Sequence, residues 1–338
     1  MRRGADYIHW EKKRSLYQNQ SGNIRRGVGM ALFSYKTGVW PISLEISGAR
    51  LILNQDGSVQ LQTGAAEIGQ GSDTVFTQMA AEVLGLSPDD VHIQSFQDTD
   101  ITPFDTGAYA SRQTYISGIA VKECAELLKE KILTYARTLV AEEYRDQELS
   151  LYDKQILCGR KPVLSLEELA FHSYYSRTSS AAITSDVSRQ IKKNTLAFGA
   201  CFAEIEVDLK LAKIKILDII NVHDSGKIIN PQLASMQVHG DISVGIGYGL
   251  SEQMLLDEKT GRVLNGSLLD YKLPTMMYSP DLCLDFVELE DPTARSETRL
   301  LASLQQSLLL RPSAMLFFTQ PGFRSMKSLF HLRGYLRH

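Results

Sequence analysis

Residues 49–63, ARLILNQDGSVQLQT, alternate apolar and polar side chains on both sides of Asp56-Gly57. Alternation with period two puts every second side chain on one face of a strand. An Asp-Gly centre suits the tight turn whose twist matches a pair of antiparallel strands. The stretch therefore predicts a hairpin with one buried face. A glycine-rich turn, GAAEIGQGS, comes next, and then DTVFTQMAAEVLGL, whose apolar residues fall at helical spacing. Ser87 to Asp90 predict a cap or turn leading into a strand, DVHIQSF.

The same order returns later in the chain. AFGACFAEIEVDL and LAKIKILDIINVHD predict a second hairpin, and INPQLASMQVHGDISVGIGYGLSEQM predicts a glycine-containing buried helix. A short hairpin (LLDEKTGRVLN), DYKLP and a strand (DLCLDFVELE) follow. Two units of hairpin, glycine-containing turn and helix imply an α+β fold: two similar lobes of hairpins in mixed sheet with packed helices. A long amphipathic helix is expected from about Gly118 to Glu142. Residues 143–196 are the least patterned, with a short strand pair, a helix near SLEELAFHSYY and a polar connection. The expected division is a first lobe at 1–142, a connecting region at 143–196, a second lobe at 197–294 and a separate tail at 295–338.

Composition narrows the function. The 338 residues carry 36 Lys and Arg against 39 Asp and Glu, a net charge of -3, which gives no reason to expect nucleic-acid binding. The N-terminus lacks the apolar core of a signal peptide, and no run of 18 apolar residues occurs. The expectation is a cytoplasmic chain with no membrane span. Cys124, Cys158, Cys201 and Cys283 are widely spaced, without zinc or iron–sulfur spacing, and read as reduced thiols.

Three stretches carry candidate chemistry. Gly64, Gly69 and Gly71 crowd a strand-to-helix turn, where backbone N–H groups at a helix start suit an anion or a phosphate. The spacing meets neither common nucleotide fingerprint, so a purely structural turn stands beside the binding reading. Gln70 within that turn can both donate to and accept from a ligand. Thr106–Tyr115, TGAYASRQTY, is either a helix start capped by Ser111 or Thr114, or a small-residue loop that admits a large flat ligand to the backbone. In HDSGKIINPQLASMQVHG, residues 224–226 read as turn chemistry, and His239 reads as a helix-face residue, with no second ligand one turn away.

Taken in order, TGAAEIGQGSDTVFTQMAAEVLG, TPFDTGAYASRQTYISGIAV, DSGKIINPQLASMQVHG with GIGYGLSEQ, and DYKLPT with DFVELEDPT resemble a known family. It is that of the molybdenum-binding large subunit of xanthine dehydrogenase and its relatives, the molybdenum hydroxylases. The resemblance runs from Arg2 to about Ala294. It implies oxidation of a purine such as hypoxanthine or xanthine with water, at a molybdenum–molybdopterin cofactor expected in its cytosine dinucleotide form. Electrons would leave through [2Fe–2S] clusters to FAD and NAD, with FAD and the clusters on partner subunits. By position, Ile68, Gly69 and Gln70 match the turn beside the pterin and its phosphate. Ala110, Ser111 and Gln113 match the second cofactor loop, and Gln237 matches a glutamine that hydrogen-bonds the pterin. The resemblance implies no protein ligand to the metal. Asp241 is unusual, because a small residue usually occupies that place in the helix.

Two departures bear on activity. Large subunits of the family are roughly twice as long, and their N-terminal half supplies groups beside the metal and the purine. After Asp291-Pro292-Thr293 the family continues with a Gly-Glu-Pro-Pro segment that carries the catalytic base. Here, residues 295–338 hold one acid, Glu297, against seven Lys or Arg. Codons read in a shifted frame from Ala294 onward permit the Gly-Glu-Pro-Pro ending. The constrained pairs agree: Met315-Leu316 permits only Ala or Val, and Met326-Lys327 only Glu. The expectation is a frameshifted, non-native tail and a chain that is inactive or impaired, with no catalytic residue assignable. Two alternatives are a non-enzymatic remnant that binds cofactor or subunits, and a hydroxylase for an aldehyde or another N-heterocycle.

Overall fold

The computed structural model describes residues 1–94, 96–177 and 180–288. The expected tail at 295–338 and the frame change at Ala294 lie outside the described residues. In chain order the elements are α1 (Arg2–Tyr7), α2 (Trp10–Leu16), β1 (Ile24–Thr37), β2 (Ile46–Leu53), β3 (Val59–Thr63), α3 (Ser72–Leu84) and β4 (Val91–Ile93). They continue with α4 (Gln113–Leu139), α5 (Glu142–Arg145), β5 (Leu149–Tyr152), β6 (Gln155–Cys158), β7 (Lys161–Ser165), α6 (Leu166–Tyr175) and β8 (Thr184–Gln190). The last are β9 (Thr195–Asp208), β10 (Lys213–Asp224), α7 (Pro231–Leu250) and β11 (Leu282–Val287).

Two four-stranded sheets repeat one topology. In the first, the β2–β3 hairpin is followed by the crossover helix α3 and by β4, which pairs parallel to β3; β8 flanks β2 antiparallel. In the second, the β9–β10 hairpin is followed by α7 and by β11, parallel to β10, while β1 flanks β9 antiparallel. The two similar lobes expected from the sequence are this pair of sheets. The expected spans meet a different pairing, however. Residues 24–37 belong to the second sheet and residues 184–190 to the first, because flanking strands far apart in sequence complete each sheet. The rest of the supposed connecting region is the small sheet β5–β6–β7 with α6, whose start carries a full capping box from Ser165 and Glu168.

The first lobe packs α3 and α4 on its sheet around one continuous core. Leu51, Leu53, Leu61, Phe76, Ile116, Leu128 and Ile132 are all fully buried there. Each such side chain stabilises the fold by about 1.5–3 kcal/mol. The second lobe is divided in two. Its sheet carries α7 on one face, over Cys201, Ala203 and Ile219, and α1 with α2 on the other, over Val28, Phe202 and Val222.

Several local expectations shift. α4 starts at Gln113, a turn before the expected Gly118, and ends at Leu139, where Val140 and Ala141 turn extended before α5. The strand DVHIQSF is regular only over Val91–Ile93. The hairpin LLDEKTGRVLN reduces to a single bridge between Leu256 and Val263. Among the described residues, no helix is long and apolar enough to cross a membrane.

Candidate functional site

The glycine-rich turn between β3 and α3 is built around Glu67. Its carboxylate accepts the backbone N–H groups of Gly69 (2.7 Å), Gly71 (3.0 Å) and Asp73 (3.1 Å), and the Ser72 hydroxyl (3.1 Å). Burial alone would raise this carboxyl, but the donors outweigh it and hold Glu67 below the ordinary carboxylate value. Of the two readings of this helix start, anion site and structural turn, the geometry fits the structural turn: an internal carboxylate takes its N–H groups. Gly69 and Gly71 have φ of +101° and +84°, which only glycine adopts freely. A Cβ on Gly71 would sit 2.7 Å from Leu233 of α7, so this glycine also lets the two lobes close on each other.

The second loop, residues 105–112, is organised by Arg112, whose side chain is fully buried. The guanidinium donates to Glu45 Oε2 (2.6 Å), Asp105 Oδ1 (2.6 Å), the Gly107 carbonyl (2.9 Å) and the Ile46 carbonyl (2.7 Å). Asp105 also accepts from Ser117 in α4, and Gly38 N–H donates to the Ala110 carbonyl. Immediately before Arg112, Ala110 and Ser111 both take left-handed backbone, at φ 47° and 53°. Two successive non-glycine residues there are strained and need an outside constraint. Of the two readings of this loop, the hydroxyl cap does not match the helix start: the cap position before α4 is Arg112, and it carries no side-chain cap bond.

The two loops meet through their amides. Gln70 Nε2 donates to Gln113 Oε1 (2.5 Å), to Ser72 Oγ and to the Ala66 carbonyl, while its Oε1 accepts from Ile68 N–H. Gln113 Nε2 donates to the same Ala66 carbonyl. Facing this pair is the start of α7. Asn230 caps that helix through Leu233 N–H and donates to Gln78 Oε1 on α3. Between them lies a cleft lined from the first lobe by Gln70, Ser72, Val75 and Thr114, and from the second by Lys227, Ile228, Asn230, Leu233 and Gln237.

Of the predicted residues, the structure thus brings Gln70, Gln113 and Gln237 to one place. Gly69 lies at the turn with open space on its Cα, and the Ile68 side chain points to solvent. Ala110 and Ser111 shape the adjoining loop without lining the cleft. Sequence reasoning gave no binding role to Ser72, Thr114, Lys227 and Asn230, or to the two anchors Glu67 and Arg112. All six lay inside or beside the quoted motifs; what was missing was the long-range pairing. No group of three or more His, Cys, Asp or Glu able to hold a metal forms among the described residues.

Neutral amides, hydroxyls and one lysine, converging from two lobes on a concave space, suit a large flat heterocycle bearing a phosphate. Comparison with known proteins decides the family, since residues 3–280 match the molybdopterin cofactor-binding domain. The chain belongs to that family. Over 295 residues it is 46% identical to the xanthine dehydrogenase molybdenum-binding subunit of Escherichia coli O157:H7, covering 86% of the chain and 39% of the relative. It is 26% identical over 300 residues to the carbon monoxide dehydrogenase large chain of Afipia carboxidovorans, covering 86% of the chain and 37% of that relative. Reconstituted CO dehydrogenase from Oligotropha carboxidovorans superposes with a TM-score of 0.75 over 89% of the chain and 39% of that structure, at 23% identity. Quinoline 2-oxidoreductase from Pseudomonas putida 86 gives 0.72 over 92% and 40%, also at 23% identity. These two likenesses show the fold. The chain spans well under half the length of these two relatives.

Proposed function

We propose that the cleft between the lobes binds the molybdopterin cofactor, in its cytosine dinucleotide form, as part of a xanthine dehydrogenase-type hydroxylase. The observation that carries this reading is the convergence of Gln70, Ser72 and Thr114 from one lobe with Gln237, Asn230 and Lys227 from the other, with Gln113 bonded behind Gln70. Gln70 and Gln237 face the cleft with groups of the type that pair with a pterin edge, and Gln113 holds the Gln70 amide in place. With Glu67 occupying the start of α3, phosphate binding falls to Lys227 beside the start of α7. Ile68, Gly69, Ala110 and Ser111 lie outside the cleft itself, and we assign their backbone groups to the part of the cofactor that extends past it. When bound, the cofactor supplies the metal at which a carbon is hydroxylated with oxygen from water and two electrons are withdrawn.

The 46% identity to a xanthine dehydrogenase subunit favours a purine substrate, with partner subunits that carry FAD and [2Fe–2S] clusters in the cytoplasm. We further infer that the 338 residues alone hold cofactor without turning over purine. The matched region is 39% of that relative, and loss of a general base alone typically costs about 10²–10⁴-fold in rate. The test is to express the chain in cells that make the cofactor and measure molybdenum, pterin and nucleotide per chain, together with urate formation from xanthine. Near-stoichiometric pterin without urate is expected. Absence of pterin sinks the binding reading, and urate formation sinks the inference of inactivity.

A further inference from the structure

The geometry points to Arg112 as the positioning residue of the second cofactor loop, a role that rests on the cofactor reading above. Its guanidinium is sealed from water and reaches four acceptors on two segments: Glu45 and the Ile46 carbonyl at the start of β2, and Asp105 and the Gly107 carbonyl in the loop. Asp105 passes the restraint on to Ser117 in α4, one turn beyond Gln113. Glu45, the second carboxylate, also accepts Val39 N–H at 2.6 Å, and Gly38 N–H holds the Ala110 carbonyl. The strained residues, Ala110 and Ser111, sit immediately before this anchor. Non-glycine residues leave the left-handed region when nothing holds them. A planar fork with five donors can satisfy four fixed acceptors at once, whereas an ammonium on a flexible stem cannot. Arg112 therefore acts on the ligand indirectly. It fixes the loop backbone and the start of α4, and so places Gln113 against Gln70.

The test uses the full chain with Arg112→Lys, which keeps the buried charge, and Arg112→Met as the harsher variant. Hydrogen exchange of the peptide covering residues 105–111 should speed about tenfold in Arg112→Lys, while peptides within β2 and the middle of α4 stay protected. Pterin retained after dialysis should fall about tenfold. Adding Ala110→Gly and Ser111→Gly to Arg112→Lys should recover part of that loss, because glycine visits positive φ without strain. A merely structural arginine predicts lower melting temperature with unchanged pterin retention and no rescue by glycine. That result, or unchanged exchange at 105–111 in a chain that binds pterin, overturns this inference and leaves the cofactor reading intact. An unaltered chain without pterin fails the cofactor reading itself, and this inference falls with it.

Discussion

The two lobes share a topology but not a way of satisfying their polar groups. In the first, the buried charges are matched: Arg112 meets Glu45 and Asp105, and Glu67 meets three backbone N–H groups and a hydroxyl. In the second, the face beneath α7 holds Asn221, His223 and Ser225, buried and without a hydrogen-bond partner among the described residues. Asn221 and His223 alternate along one side of β10, with Ser225 just past its end, and the imidazole lies between Phe33 and Phe286. Unpaired buried polar atoms cost about 1–3 kcal/mol each. The opposite face of the same sheet is satisfied, since Glu204 accepts from Lys13 and from Tyr17. The difference teaches that the first lobe ties its buried charges into networks, although Ser47 Oγ lacks a partner there, whereas the α7 side of the second is held mainly by apolar contact.

The sharpest way to break this contrast is to unpair the first lobe. Arg112→Met leaves two buried carboxylates facing each other and should cost about 3–5 kcal/mol in urea unfolding. A loss below about 1 kcal/mol would mean that the lobe does not depend on its ion pairs.

Replacing His223 by Phe should have the opposite sign. Burial holds the imidazole down to about 4, well below its ordinary value of 6.5. Its folded pKa is depressed, so its favourable contribution is complete above pH 6.5 and is lost as pH falls through that value toward 4. Near pH 4, His223→Phe should therefore be about 2–3 kcal/mol more stable than the unaltered chain, a gain that shrinks by pH 8. Parallel melting curves at both pH values would contradict this.

Asp241 gives a smaller effect with the reverse dependence. Burial raises its carboxyl from 3.8 to about 6. The contribution of a raised acid is present below the unfolded value and is lost as pH rises through the folded one. At pH 8, Asp241→Asn should thus stabilise the second lobe by about 1–2 kcal/mol, after discounting for the water that reaches the carboxyl. At pH 4 it should change little. The smallest expected change is Gln113→Ala, about 0.5–1.5 kcal/mol from the lost Gln70 and Ala66 contacts. A larger loss would mean that the amide bridge holds the lobe together rather than presenting a binding edge.

Much of this architecture is legible in the sequence. The Asp56-Gly57 hairpin, the helix after Gly71 and the hairpin over residues 195–224 follow from local periodicity and turn chemistry. The flanking strands β1 and β8 are not legible this way, because their partners lie far along the chain and their own alternation is weak. The site divides similarly. Gln70 and Gln237 stand out within their motifs, but Glu67 filling the start of α3 is a three-dimensional fact that a string of glycines does not reveal. Residues 251–280 differ for another reason: Leu268, Leu269, Met276 and Met277 are 79–92% exposed. A patch of that kind marks a surface for contact rather than a core.

The central claim is that one cofactor is held by amides from both lobes at once. It is tested most directly by the pterin content of chains carrying Gln70→Ala, Gln237→Ala or both, purified from cells that make the cofactor. The account predicts near-stoichiometric pterin in the unaltered chain, a clear loss for each single variant, and almost none for the pair. Full retention when either lobe's glutamine is removed would contradict it.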